Sequence, residues 1–264
     1  MDRASIAKDV RRIVVERSKS ANTGHIGSAL SIVEILVCLF WDQLKIESLR
    51  DPNRDRFVLS KGHASLALYA VLYLKGRLCQ TQLDSFCADD SHLGVHPESD
   101  LDGIDFSTGS LGMGLSYGAG AALAAKLSNA SRKVFVLISD AECNEGALWE
   151  AAMFAAHHKL DNLVAIVDLN GQQALGYTAD VLQLDNMEAR WQAFGWQAHT
   201  VDGHDIDSLN AALGASANGR PQVVIAKTTF GKGVSFMHNR IEWHYSPLND
   251  EQFSRALNEL EVAR

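Results

Sequence analysis

The sequence predicts an α/β protein, a three-layer fold in which a parallel sheet carries helices on both faces. Three observations predict it. From residue 133 onward, short mainly apolar runs (KVFVLIS, NLVAIVDL, WQAHTV, PQVVIAKT) alternate with helical segments. Strands buried on both faces read as apolar runs, and alternation with helices is the signature of a parallel sheet. The 264 residues, 47% of them hydrophobic, suffice for one large core.

Along the chain, IAKDVRRIVVERS has apolar residues at helical spacing. SIVEILVCLFWDQL reads as a buried helix opened by Ser31, with Glu34 completing a capping box. RFVLS is a short strand ending at Ser60, and ASLALYAVLYLKG a helix stopped by Gly76. Residues 88–108 form a polar loop, followed by a Gly/Ala-rich helix near 112–127. Strand 133–139, helix 145–160, strand 162–169, helix 186–195, strand 196–201, helix 205–216 and strand 221–228 complete the pattern. Residues 1–264 form a single domain, with 230–264 a Gly-punctuated, then polar C-terminal tail that is the only candidate linker.

The net charge of -8 argues against nucleic acid as a partner. Lys8, Arg11, Arg12, Arg17 and Lys19 alternate with Asp9 and Glu16, the pattern of a solvated helix face. No apolar run is long enough to span a membrane, and the N-terminus lacks the apolar core of a signal peptide. Cys38, Cys79, Cys87 and Cys143 show no CxxC spacing, which predicts buried free thiols and a cytoplasmic location.

Ligands of open parallel sheets sit beyond the carboxyl ends of the strands. Ser60, Asp140, Asn170, Asp202 and Thr228 should border that one rim. Asp140 and Asn170 offer hard oxygens suited to Mg²⁺ or Ca²⁺. They carry only one negative charge, so such a site needs a ligand with further anionic oxygens, such as a diphosphate. A helix starting near Asn144 would aim its amides at that anion. The same spacing also fits a helix cap at Asp140 and a turn at Asn170.

STGSLGMGLSYGAG places Gly109, Gly112 and Gly114 before a helix. It loosely resembles a dinucleotide loop, but the preceding DLDGIDF is a poor strand, so nicotinamide binding is the weaker reading. Of the 10 histidines, His25, His63, His96 and His244 lie in polar loops, the first three beside or next but one to glycine. Imidazoles there suit proton transfer. No HxH or HxxxH pair occurs among the four, which weakens a zinc reading. His157 and His158, within a helix, and His199, on a strand, read as structural.

The segments TGHIGSALSIVEIL, NRDRFVLSKGHASLALYAVLYLKG, GVHPE, STGSLGMGLSYGAG, SDAECNEGALWEA, VDLNG and VDGHD, in that order, resemble the N-terminal, diphosphate-binding domain of transketolase over nearly the whole chain. The pyrimidine-binding and C-terminal domains of that family have no counterpart, so the chain resembles the N-terminal subunit of a split transketolase. The resemblance implies thiamine diphosphate held by Mg²⁺ or Ca²⁺, with side-chain ligands Asp140 and Asn170 and the backbone carbonyl of Gln172. The family's Gly-Asp-Gly appears here as Ser139-Asp140-Ala141, and Ala141 fits provided its φ is negative, since a positive φ costs about 1–2 kcal/mol.

The resemblance also implies that Gly109, Ser110, Leu111 and Gly112, with Ala141 and Glu142, lie beside the cofactor, and His63 near its diphosphate. His25, His96 and His244 would face the reactive carbon and the sugar hydroxyls, with His238 competing with His244 for its role. Glu145 and Glu150 match acids near the interface between two active sites. The implied reaction moves a two-carbon ketol unit from a ketose to an aldose, both sugars or sugar phosphates. It is implied to run only with a C-terminal companion subunit, in an α2β2 assembly. The alternatives are a thiamine enzyme acting on 2-oxo acids, or a cofactor-free regulatory subunit, which the altered Ser139–Ala141 motif would suit.

Overall fold

The computed structural model describes residues 2–262. The chain opens with helix α1 (Arg3–Ala21), whose N-terminus is capped by Asp2 accepting from the Ser5 amide. The predicted helix over 31–44 is instead broken into α2 (Ile26–Ser31), α3 (Val33–Cys38) and a wide turn at Leu39–Gln43. Ser31 closes α2 and opens nothing. Its hydroxyl donates to the Ser28 carbonyl and to Asp168, while Glu34 pairs with Arg11 and His204. The predicted capping box is therefore absent, because both side chains bond elsewhere in the fold.

Strand β1 (Arg56–Leu59) leads through the turn Gly62–Ala64 to α4 (Ser65–Leu74), followed by the short α5 (Gln80–Asp84). A long loop precedes α6 (Gly114–Leu127) and β2 (Val134–Ser139). The turn Ala141–Asn144 joins β2 to α7 (Gly146–His157), and β3 (Leu163–Leu169) follows. A small hairpin of β4 (Gln172–Gln173) and β5 (Gly176–Tyr177) carries the chain to α8 (Thr178–Val181) and α9 (Met187–Ala193). Then come β6 (Gln197–Asp202), α10 (Ile206–Leu213), β7 (Gln222–Lys227) and finally α11 (Asp250–Val262).

The main sheet has the order β1-β2-β3-β7-β6, and every pair is parallel. Strand side chains alternate between two cores, as a period of two requires. Phe135, Leu137, Val164, Ile166, Val224 and Ala226 join α1–α4, while Val134, Val136, Ile138, Ala165, Val167 and Ile225 join α6, α7 and α9.

The segment after Thr229 is no linker. Phe230, Val234, Met237, Trp243, Leu248, Ala256 and Leu260 all belong to the first core. Gly27 leaves room for it, since a Cβ there would lie 2.1 Å from the Phe230 ring. The polar residues that suggested a tail are the solvent face of α11, whose buried side packs on α1. Residues 263–264 of the predicted tail lie outside the described residues. Arg11 also departs from the solvated face, being 7% exposed and paired with Glu34. All four cysteines are free, yet only Cys38 and Cys143 are buried, and Cys79 is exposed.

Candidate functional site

The carboxyl rim of the sheet holds a buried polar cluster centred on Asp168, the penultimate residue of β3. By strand alternation Asp168 faces the α1–α4 side. There it accepts from Ser31 Oγ, Asn170 Nδ2 (2.8 Å), Thr228 Oγ1 and the Lys61 ammonium. Lys61 and Asp168 side chains are both fully buried. Burial opposes ionisation of Asp168, but Lys61 and the hydroxyls of Thr228 and Ser31 hold its carboxyl below the ordinary range.

Asp140 sits one residue past β2, is fully buried, and accepts from the amides of Ala141 (2.8 Å) and Gly171 (2.7 Å). The second bond joins it to the turn that carries Asn170. Asn170 is fixed in turn: Nδ2 donates to Asp168, and Oδ1 accepts from the Gln172 amide at 2.9 Å. Asp140 is pushed up to about 7, first by burial and then by the neighbouring Asp168 charge. The Lys61 ammonium, paired with Asp168, offsets this only in part. Among the described residues no three His, Cys, Asp or Glu side chains are arranged to hold a metal ion. The donors available are instead the Asp140 carboxylate, the Asn170 carbonyl and the Gln172 backbone, a hard-oxygen set that fits Mg²⁺ or Ca²⁺. The buried Gln172 side chain has no partner at either polar atom, a further sign of a polar ligand beside it. Ala141 has negative φ, so losing glycine there strains nothing.

A cavity of about 250 Å³ adjoins this point, lined among others by His63, Leu111, Glu145, Asn170, Gln172 and His244. Two imidazoles, His63 and His244, line it, and His25 packs against both: His25–His63 centroids are 5.5 Å apart, His25–His244 5.1 Å and His63–His244 5.4 Å. His25 has φ 61°, a conformation uncommon for a residue with a side chain, and its amide donates to the His244 carbonyl at 3.1 Å. His63 shares a 2.7 Å hydrogen bond with Ser28 Oγ. Burial lowers all three imidazoles, His244 to about 4, with neighbouring histidines and Lys61 adding to the effect, so they are neutral near pH 7. His96 is exposed, with its ring over Gly62 and Gly109, where an added Cβ would come within 3.0 Å of it.

The loop Gly109–Gly112 reaches the cavity through Leu111. Gly112 has φ +80°, and a Cβ there would meet Glu145 Cβ at 2.6 Å, so both conformation and space call for glycine. Ser110 is exposed on this loop.

Glu142 does not face the cavity. Its carboxylate is fully buried and accepts from Ser60 Oγ and the amides of Gly112 (3.1 Å) and Ser139 (2.8 Å). It braces the glycine loop against β2, leaving no oxygen for a cofactor. Glu150 is exposed on α7, outside the cavity lining, as is His238 on the far loop. His244 is the one of the pair that joins the cluster, held by Phe230 stacked on it at 6.0 Å and 11°.

Sequence reasoning did not single out Lys61, Asp168, Ser28 or Phe230. A charge inside the apolar run VAIVDL was the available signal for Asp168; Phe230 gave none, because its role depends on the room left by Gly27.

Residues 2–262 match the family described as "Transketolase, thiamine diphosphate binding domain". The chain is 39% identical to one of the subunits of apulose-4-phosphate transketolase from Phocaeicola vulgatus, over 95% of this chain and 90% of that protein. It is 38% identical to 6-deoxy-6-sulfo-D-fructose transketolase subunit SqwG of Clostridium sp., over 97% of this chain and 94% of that protein. Its fold superposes on the crystal structure of transketolase from Campylobacter jejuni with a TM-score of 0.93 and 32% identity, over 99% of this chain but only 43% of that one. Human transketolase, 38% identical, is likewise matched over 41% of its length. The chain therefore spans about two-fifths of full-length transketolases and nearly the whole of these separate transketolase subunits. The rim cluster, the cavity and these likenesses agree: the chain belongs to the thiamine diphosphate-binding domain family of transketolase.

Proposed function

We propose that this chain is the cofactor-binding subunit of a two-component, cytoplasmic transketolase that moves a two-carbon ketol unit from a ketose to an aldose. The observation that carries the reading is one cavity lined by the neutral His63 and His244 imidazoles, with His25 packed against both, and bordered by the Asn170 and Gln172 side of a hard-oxygen cation site. Asp140, Asn170 and the Gln172 carbonyl would hold Mg²⁺ or Ca²⁺, and the Gly109–Gly112 loop with Ala141 and His63 would seat the diphosphate. Thiamine diphosphate, when bound, supplies the electron sink that makes carbon–carbon cleavage feasible.

The chain's own groups bind, orient and move protons. The neutral His63 and His244 rings at the cavity wall suit proton exchange with sugar hydroxyls, and His25, packed against both, would join them. Ser28 fixes the His63 ring. His96, exposed beside Gly109, would contact the far end of the sugar, and the exposed Leu111 and Leu175 would be covered by a companion subunit in an α2β2 assembly. Glu145 and the outer Glu150 would lie toward that contact.

The test reconstitutes the chain with the companion subunit. Calorimetry with Mg²⁺ and thiamine diphosphate should show tight binding that Asp140→Ala abolishes, and ketoses should outrun 2-oxo acids as donors. Full turnover by the chain alone, or preference for 2-oxo acids, overturns the reading.

A further inference from the structure

The turn after β7 is gripped by a charged network that enters from the far side of the first core. The Thr229 amide donates to His204 Nε2 at 2.8 Å. Nε2 must therefore be the bare nitrogen, and Nδ1 carries the proton that it donates to Glu34 at 3.0 Å. Glu34 also pairs with the Arg11 guanidinium at 2.7 Å, and Arg11 Nε donates to the Lys232 carbonyl at 3.0 Å. Glu34 is buried; burial opposes its charge, but Arg11 and His204 keep it ionised. The network thus bonds the backbone at both ends of the segment 229–232, from α1, α3 and the β6–α10 connection.

That segment supports the cavity. Phe230, 1% exposed, lies between the grip points and lines the cavity with His244 stacked upon it. The Gly231 amide donates to the Gly27 carbonyl of α2, the helix that His25 precedes. Moving the Thr229 end would therefore shift the surface on which His244 rests. We propose that His204, locked as one tautomer by Glu34 and Arg11, is a positioning residue that sets the His244 imidazole through Thr229 and Phe230. The inference rests on the reading of His244 as a group that faces the sugar.

The test compares His204→Ala with His204→Gln, whose amide can accept from Thr229 and donate toward Glu34. In the free chain, hydrogen exchange at the Thr229 amide should quicken at least about tenfold in His204→Ala, while the Val224 and Ala226 amides within β7, paired on both sides, keep their protection. The His244 ring protons should change chemical shift as the stacked Phe230 moves. In the assembled enzyme kcat should fall about tenfold with KM little changed, and His204→Gln should recover most of both signals. An unmoved His244 signal in His204→Ala with Thr229 exposed refutes the proposal. So does a uniform rise in exchange across the sheet, which would mark a merely structural residue. The exchange and shift measurements involve no turnover, so they remain decisive even if the reconstituted pair transfers no ketol unit.

Discussion

Replacing Asp140 by Asn should make the cofactor-free chain more stable and its metal-bound state unattainable. Asp140 is fully buried, and burial together with Asp168 raises its carboxyl to about 7. An acid raised this far loses its proton in the unfolded chain first. The folded state thus holds this extra proton between about pH 4 and 7, and the Asp140 contribution to stability falls as pH rises across that window. At pH 8 the ionised group costs the fold about 4 kcal/mol. Asn removes this charge but offers one oxygen to two amides, those of Ala141 and Gly171, and the lost bond returns about 1–3 kcal/mol of the gain. A net gain of about 2 kcal/mol remains, on the order of 5 °C in melting temperature for a chain of this size. Thermal unfolding of both proteins without metal, at pH 5 and pH 8, should show the gap opening only at the higher pH. Adding Mg²⁺ with thiamine diphosphate should stabilise the wild type at pH 8 and leave the variant unchanged. An Asp140→Asn chain less stable than wild type at pH 8, or a gap equal at both pH values, refutes the electrostatic account.

Lys61→Met should destabilise by about 3 kcal/mol in chemical denaturation, because it leaves the Asp168 carboxylate buried without its cation; a loss below about 1 kcal/mol would mean that Ser31, Asn170 and Thr228 suffice. Gly27→Ala drives a methyl into the Phe230 ring and should cost about 1–3 kcal/mol, with cofactor affinity recovered in the double variant Gly27→Ala, Phe230→Leu if displacement of that ring is the cause. Burial lowers the His25, His63 and His244 imidazoles, so the unfolded chain takes up protons first as pH drops below about 6.5. The contribution of these three imidazoles to stability should therefore fall from there toward pH 4, opposite in sign to that of Asp140, and NMR titration should find His244 changing charge near pH 4.

Much of this was legible in the sequence because strand ends are the most readable part of a parallel fold. Apolar runs fixed where β2, β3 and β7 stop, so Asp140, Asn170 and Thr228 could be assigned to one rim from spacing alone. Their polar loops marked the four histidines and the resemblance supplied their roles, and the fold brings His25, His63 and His244 within ring contact. Three things escaped. Glu142 stands close to Asp140 in the sequence, but a single 3₁₀ turn points it inward to Ser60 and Gly112. The capping pattern of Ser31 and Glu34 is local, and tertiary partners 137 and 170 residues away outcompete it. The segment after Thr229 looks like a linker because its apolar residues follow no single period, being spread over two 3₁₀ turns and a loop before α11.

The four-way convergence on Asp168 also bears on how the strands find their alignment. Sliding β3 by one residue against β2 or β7 would turn this carboxylate toward the alanine- and valine-lined layer under α6 and α7, where no ammonium awaits it. Correct pairing and one satisfied anion are then the same event, and a misaligned sheet would be penalised at its centre, between its most buried strands.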